Sequence, residues 1–187
     1  MAGAKALWTN RVHVCNKRLC GGQSGFTPFV AACMTLSPKP LRQPVGVLLV
    51  TLQFGLLLWL IALAASQGRF AWGSLALAAG SAAVGGWTLL HNRPGNFNIR
   101  PAPKAHGVLV TSGPYRYVRH PMYTAVLLGA AALAWLAGPW LAWALWVALV
   151  LVLLVKASLE EQWLREHHSP YPAYCSSCRH RFLPGII

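Results

Sequence analysis

Residues run without a charge from Val45 to Ala65 and again from Phe70 to Leu90. At roughly 1.5 Å of rise per helical residue, each run is long enough to cross a hydrocarbon core of about 30 Å. Two shorter apolar runs, Met122 to Ala137 and Pro139 to Val155, are separated by Gly138. They predict a tight helical hairpin that crosses and returns, its second arm continuing past Lys156 into water. Lipid offers no partner to a backbone N–H or C=O, so spans of this kind must be helical. The pattern predicts an all-α, multi-pass membrane protein with about four spans, at 45–65, 70–90, 122–137 and 139–156.

Composition agrees with the pattern. The chain is 56% hydrophobic and 10% charged, against about 25% charged in a soluble domain. The charges then orient the spans. Lys39 and Arg42 precede the first; Arg93, Arg100, Lys104, Arg116 and Arg119 lie between the second and third; Arg165, Arg179 and Arg181 follow the fourth. The opposite side has only Arg69. By the positive-inside rule, both termini and the 91–121 loop face the cytoplasm. The same asymmetry accounts for the net charge of +13. Basic residues that flank apolar spans suit anionic lipid head groups and argue against nucleic acid as a partner.

Residues 1–33 carry Lys5, Arg11, Lys17 and Arg18 with no acid and no sustained apolar run, which excludes a secretory signal peptide. They read as a dispensable basic extension, either a transit peptide or upstream sequence translated ahead of Met34, with a single domain over 34–187. Cys175 and Cys178 form a CxxC beside His167, His168 and His180. A structural zinc wants four well-spaced ligands, and one CxxC falls short of that, so no metal is expected and the two thiols are expected to be unligated.

The acids are the informative residues. The chain has three, Glu160, Glu161 and Glu166, all at the end of the fourth span. Leu153, Lys156, Glu160, Trp163 and His167 share one helical face. Glu160 either pairs with Lys156 one turn away or faces a site at the membrane edge, where ionisable groups are usually functional. Across the loop, Pro121 suits the first turn of the third helix, which sets a positive helix end beside Arg119 and His120. A ligand with a carboxylate at one end and cationic or hydroxyl groups at the other matches both halves, and S-adenosylmethionine is such a ligand.

"GPYRYVRHPMY", then "EE", then "YPAYCSSCRHRFLP" together resemble the membrane methyltransferase family of isoprenylcysteine carboxyl methyltransferases and phospholipid N-methyltransferases. The resemblance covers about 92–184. It implies an all-helical enzyme with a cytoplasmic cofactor pocket that uses S-adenosylmethionine to methylate a lipophilic or membrane-associated acceptor, be it lipid, carboxylate or thiol. Carried over by position, Gly107, Val108, Leu109 and Val110 resemble the segment along the adenosine. Tyr115, Arg119, His120, Pro121, Met122 and Tyr123 match further cofactor contacts, and Glu160 the acidic cofactor ligand. Tyr123, Glu161 and Lys156 are the catalytic candidates. Lys156 stands where the carboxyl methyltransferases have Arg near the substrate, and Lys lacks the bidentate fork of Arg. Ala125 stands where the family usually has Gly. Four spans resemble the compact bacterial members, which implies a bacterial inner membrane. Residues 96–107 read equally as a loop closing over the cofactor or as a polar connector. The rivals are an NADPH-dependent reductase of the sterol-reductase type and a non-enzymatic membrane scaffold.

Overall fold

The computed structural model describes residues 42–67, 69–92 and 109–183. They form helices α1 (Arg42–Gln67), α2 (Trp72–His91), α3 (Pro121–Ala137), α4 (Trp140–His167) and the short α5 (Tyr171–Ser177), with a 3-10 turn at Gly113–Arg116. Among the described residues there is no strand. The 1–33 extension lies outside the described residues.

Three helical stretches, Pro44–Gln67, Trp72–His91 and Trp140–Glu166, are long and apolar enough to cross a membrane. The third expected span, α3, is apolar but only 17 residues long. It is also the helix most enclosed by protein: Ala130, Ala134 and Ala137 are at most 1% exposed. The fourth apolar run continues as helix to His167, well past Lys156, as the sequence predicts.

Small residues explain how α2 and α3 pack. Lipid supplies no hydrophobic drive for helix association, so helices in a membrane gain by letting backbones approach closely. A methyl added at Gly85 would meet the Ala125 Cβ at 3.5 Å, and one at Gly129 would meet Ser81 Oγ at 3.0 Å. The chain thus faces Ala125 with a glycine, which leaves room for the methyl that the resembling family omits. Ser81 Oγ donates to the Ala125 carbonyl at 2.7 Å, and Trp146 Nε1 donates from α4 to the Leu127 carbonyl of α3 at 2.9 Å. Leu60, Leu149 and Leu153, all fully buried, fill the space between α1 and α4. Outward residues such as Leu58 and Leu90 remain exposed, as a lipid-facing surface requires.

The two ends of the bundle differ. Phe70, Trp72, Trp135 and Trp143 cluster at one, in the manner of an interfacial aromatic belt. This end also carries Gly138 at φ 82°, which turns α3 into α4, with the Arg69 guanidinium against it. A side chain at that φ is strained and would collide with Arg69. Gly138→Ala is therefore expected to cost about 1 to 3 kcal/mol, read as a lower melting temperature in detergent. Trp87, His91 and Tyr117 mark the other end, where the polar residues collect.

Candidate functional site

At that end the chain turns sharply before α3. Gly113, at φ 61°, opens the 3-10 turn with the His91 ring pressed against it. His120 then forms the N-cap of α3 and Pro121 its first residue, the role the sequence assigns to Pro121. The segment is held from outside by the C-terminal tail. Arg119 N donates to the His180 carbonyl and His120 N to the Arg181 carbonyl, each at 2.9 Å. Thr124 Oγ1 donates to the Phe182 carbonyl at 2.6 Å. The Phe182 ring, 2% exposed, meets the rings of His120 and Tyr123 edge-on. Those two rings stack on each other with centroids 5.3 Å apart.

The adjacent acids have different surroundings. Glu161 is 1% exposed, and cations enclose its carboxylate. Arg181 donates to both oxygens, at 3.2 Å through Nε and 3.1 Å through Nη2. Arg119 Nη1 lies at 3.1 Å, His120 Nε2 at 3.3 Å and Arg165 Nη2 at 3.5 Å. Burying a carboxylate is tolerable only with such pairing. Glu160 keeps 21% of its side chain exposed. Its Oε1 accepts the Tyr123 hydroxyl at 2.6 Å, and its Oε2 lies 3.6 Å from His120 Nδ1. His120 thus bridges the two carboxylates.

Two details bear on the sequence readings: the Lys156 pairing that stood as the alternative to a site at Glu160, and the placement of Arg119 beside a ligand anion. Lys156 forms no ion pair with Glu160 among the described residues; its Nζ donates to Gln53 Oε1 of α1 at 2.9 Å and lies 5.3 Å from the centroid of the Tyr123 ring. The lysine reaches across the bundle to α1, while the Glu160 carboxylate one turn along its own helix acts on it through charge without a direct ion pair. Arg119, expected beside a ligand anion, spends its guanidinium internally, on Glu161, on Cys175 Sγ at 3.7 Å and on the Arg179 carbonyl at 3.0 Å. The anion beside the start of α3 is the chain's own Glu161.

The remaining expected residues fall as follows. Tyr115 sits in the 3-10 turn, and burial, then the Glu160 charge, pushes its phenol up to about 12; it stays protonated at neutral pH. Its carbonyl accepts the Tyr174 hydroxyl at 2.6 Å. Pro121 is buried and Met122 half-buried at the start of α3. Leu109 lines a groove of 520 Å³ with Thr111, Arg116 and Tyr174, and Val110 is half-buried beside it. Gly107, Val108 and the whole 96–107 loop lie outside the described residues. In the CxxC, Cys178 donates to the His180 carbonyl at 3.8 Å, and burial raises its pKa above the ordinary thiol value.

The sequence assigns no site role to Gln53, Arg181 or Phe182. Gln53 had a signal: it is the single side-chain amide in the first apolar run. Arg181 and Phe182 had one too, as part of the "YPAYCSSCRHRFLP" element, which marks the tail without saying which of its side chains reach the site.

Residues 95–170 match the family model described as phospholipid methyltransferase. That stretch is similar to a membrane phospholipid-methyltransferase segment. It covers somewhat less than half of the chain and includes His120, Tyr123, Lys156 and both bridged glutamates, while α1, α2 and the tail from Tyr171 lie outside it. The match supports methyl transfer in a membrane as the general activity. The matched stretch contains the "RHPMY" and "EE" elements on which the resemblance rests. No curated protein and no solved structure matches the chain.

Proposed function

We propose that the protein transfers a methyl group from S-adenosylmethionine to a lipophilic, membrane-associated acceptor, at the polar end of the bundle. The observation that carries this reading is the contrast between the two glutamates. Glu161 has its oxygens taken by cations, whereas Glu160 is held in place by Tyr123 and still open on one side. An oriented, partly exposed carboxylate with no full counter-charge suits the ammonium or ribose hydroxyls of that cofactor. The donor set therefore fits. Glu160 would hold the cofactor, with His120 and Tyr123 orienting it, Tyr115 close by, and Leu109 and Val110 along the adenosine.

When bound, the cofactor supplies an electrophilic methyl group on a sulfonium. The chain's part is alignment and exclusion of water, which together account for much of the rate in such in-line transfers. Glu161 acts here as a positioning residue: it fixes His120 from the far side and ties the tail to α4. A carboxylate acceptor is already ionised at neutral pH and needs no base, while an amine or thiol must lose a proton. The acceptor approaches laterally from the bilayer, and the basic end faces the cytoplasm.

The test is direct. S-adenosylhomocysteine is expected to raise the melting temperature of the detergent-solubilised protein, and NADPH to leave it unchanged. Label from methyl-tagged cofactor is expected in the lipid extract of membranes containing the protein. Stabilisation by NADPH in place of S-adenosylhomocysteine would turn the reading towards a reductase, and stabilisation by neither would turn it towards a scaffold.

A further inference from the structure

Cys175 and Cys178 sit where the tail meets the start of α3. They are 7% and 3% exposed, and both are free thiols. Cys175 Sγ accepts from Arg119 Nη1 at 3.7 Å. Cys178 Sγ donates at 3.8 Å to the His180 carbonyl, the same carbonyl that accepts Arg119 N. Tyr174, whose hydroxyl donates to the Tyr115 carbonyl, also interacts with the Cys178 thiol. Cys178 N donates to the Tyr174 carbonyl at 2.8 Å, so the helical path of α5 extends to the Cys178 Cα. Residues three apart on such a path have Cα atoms about 5 Å from each other, inside the range that a disulfide spans. Cys178 also lines the 520 Å³ groove beside Thr111 and Arg116, which gives a small reagent access to its sulfur.

We propose that Cys175 and Cys178 are a dithiol–disulfide switch that releases the C-terminal tail from the start of α3. Helical neighbours three apart hold their Cβ atoms about 5 to 6 Å from each other, whereas a disulfide draws them to about 3.5 to 4.5 Å. Closure therefore pulls the end of α5 inward by about 1 Å. The residues that follow present the His180, Arg181 and Phe182 carbonyls to Arg119 N, His120 N and Thr124 Oγ1 at 2.6 to 2.9 Å. A shift of that size takes such bonds beyond hydrogen-bonding distance. Closure also removes the Cys178 S–H donor from His180 and draws the Cys175 sulfur away from Arg119. The oxidant is a small disulfide such as glutathione disulfide, whose negative charge suits Arg116 in the groove. The Cys178 thiolate attacks one of its sulfurs, and the first small thiolate leaves and takes up the Cys178 proton. The Cys175 sulfur then attacks Cys178 Sγ and gives its proton to the second departing thiolate. Two cysteine thiols are oxidised, and one small disulfide is reduced to two thiols. At the cytoplasmic end proposed above, disulfides of this kind are transient and redox-sensing.

The experiment treats the full-length protein in detergent with glutathione disulfide and then with dithiothreitol. Trypsin cuts the denatured chain after Arg165 and Arg179, so both cysteines fall in one peptide, 166–179, and Cys15, Cys20 and Cys33 fall outside it. Closure is expected as the loss of two hydrogen atoms from that peptide by mass spectrometry, with no glutathione retained. Cleavage of the folded protein after Arg181 is expected to run about tenfold faster in the oxidised form, because it follows the open population of the tail. Dithiothreitol is expected to restore the original rate. Cys178→Ser, which keeps a donor for the His180 carbonyl, is expected to show neither closure nor faster cleavage. A glutathione adduct in place of closure, a closed peptide with unchanged cleavage, or a Cys178→Ser tail that opens as the parent's does overturns the proposal. Affinity for S-adenosylhomocysteine is expected to fall on closure, through His120, and this arm alone rests on the function proposed above. A reduced protein that does not bind S-adenosylhomocysteine counts against the methyltransferase reading, while the cleavage arm still decides the switch.

Discussion

Glu161→Gln is expected to destabilise the protein by about 3 to 5 kcal/mol, the usual consequence of removing one partner from a buried ion cluster. The substitution keeps the shape and removes only the charge. Arg119, whose side chain is 10% exposed, is then left in the interior without its counter-ion, and Arg181 loses a bidentate acceptor. The tail contacts at His180, Arg181 and Phe182 are coupled to the same carboxylate through Arg181, so the tail should loosen as well. Arg165→Ala provides the contrast. Its contact with Glu161 is a 3.5 Å pair one turn away on the same helix, and the arginine is 38% exposed. Such pairs contribute about half a kcal/mol or less, so this variant should melt close to the parent. Thermal denaturation in detergent reads both, and a Glu161→Gln protein as stable as Arg165→Ala would remove Glu161 from its role as the hub.

The bundle was legible because the solvent narrows the choices. An uncharged run such as Phe70 to Leu90 must be helical in lipid, and the helix found, Trp72–His91, differs from it only at the edges. Pro121 and Gly138 marked a helix start and a helix turn through their own backbone preferences, and both stand where those preferences put them. The face containing Leu153, Lys156, Glu160 and Trp163 was likewise readable, since helical periodicity fixes which side chains share a side; three of the four are at most 8% exposed, and Glu160 opens beside them.

The details of the candidate site were less legible, for reasons of distance along the chain. Gln53 meets Lys156 across 103 residues and Thr124 meets Phe182 across 58, separations that no local pattern encodes. Helical periodicity and the resemblance set Glu160 on the cofactor side and left Glu161 as a catalytic candidate, with nothing to say what surrounds either. What divides them is the reach of the tail: Arg181 returns to Glu161 and leaves Glu160 to Tyr123. The apolar run of α3 was read correctly as a helix and as shorter than the first two, while its enclosure by the other helices is a matter of packing, which hydropathy does not report.

Glu160→Gln should do the opposite of Glu161→Gln. Glu160 is one-fifth exposed, and its nearest basic group, His120 Nδ1, stands at 3.6 Å, so removing the charge leaves no tightly bound cation uncompensated. The Gln carbonyl can still accept the Tyr123 hydroxyl, and the melting temperature of the free protein should stay near that of the parent. Binding is where the loss is expected. A hydrogen bond to a charged group contributes about 1.5 to 3 kcal/mol, so the affinity for S-adenosylhomocysteine should fall by about one to two orders of magnitude, with methyl transfer at limiting cofactor falling in step. Tyr123→Phe isolates the orienting contact. It keeps the ring stacked on His120 and against Phe182 but frees Glu160 Oε1, and a loss of about tenfold is expected from one charge-assisted hydrogen bond. Isothermal titration with S-adenosylhomocysteine, paired with melting curves of the free variants, reads affinity and stability separately. The reading predicts neighbouring, chemically identical substitutions with inverse phenotypes: position 161 unfolds and position 160 unbinds. If Glu160→Gln binds S-adenosylhomocysteine as the parent does, the open carboxylate is not the cofactor ligand, whatever the stability of the bundle around it.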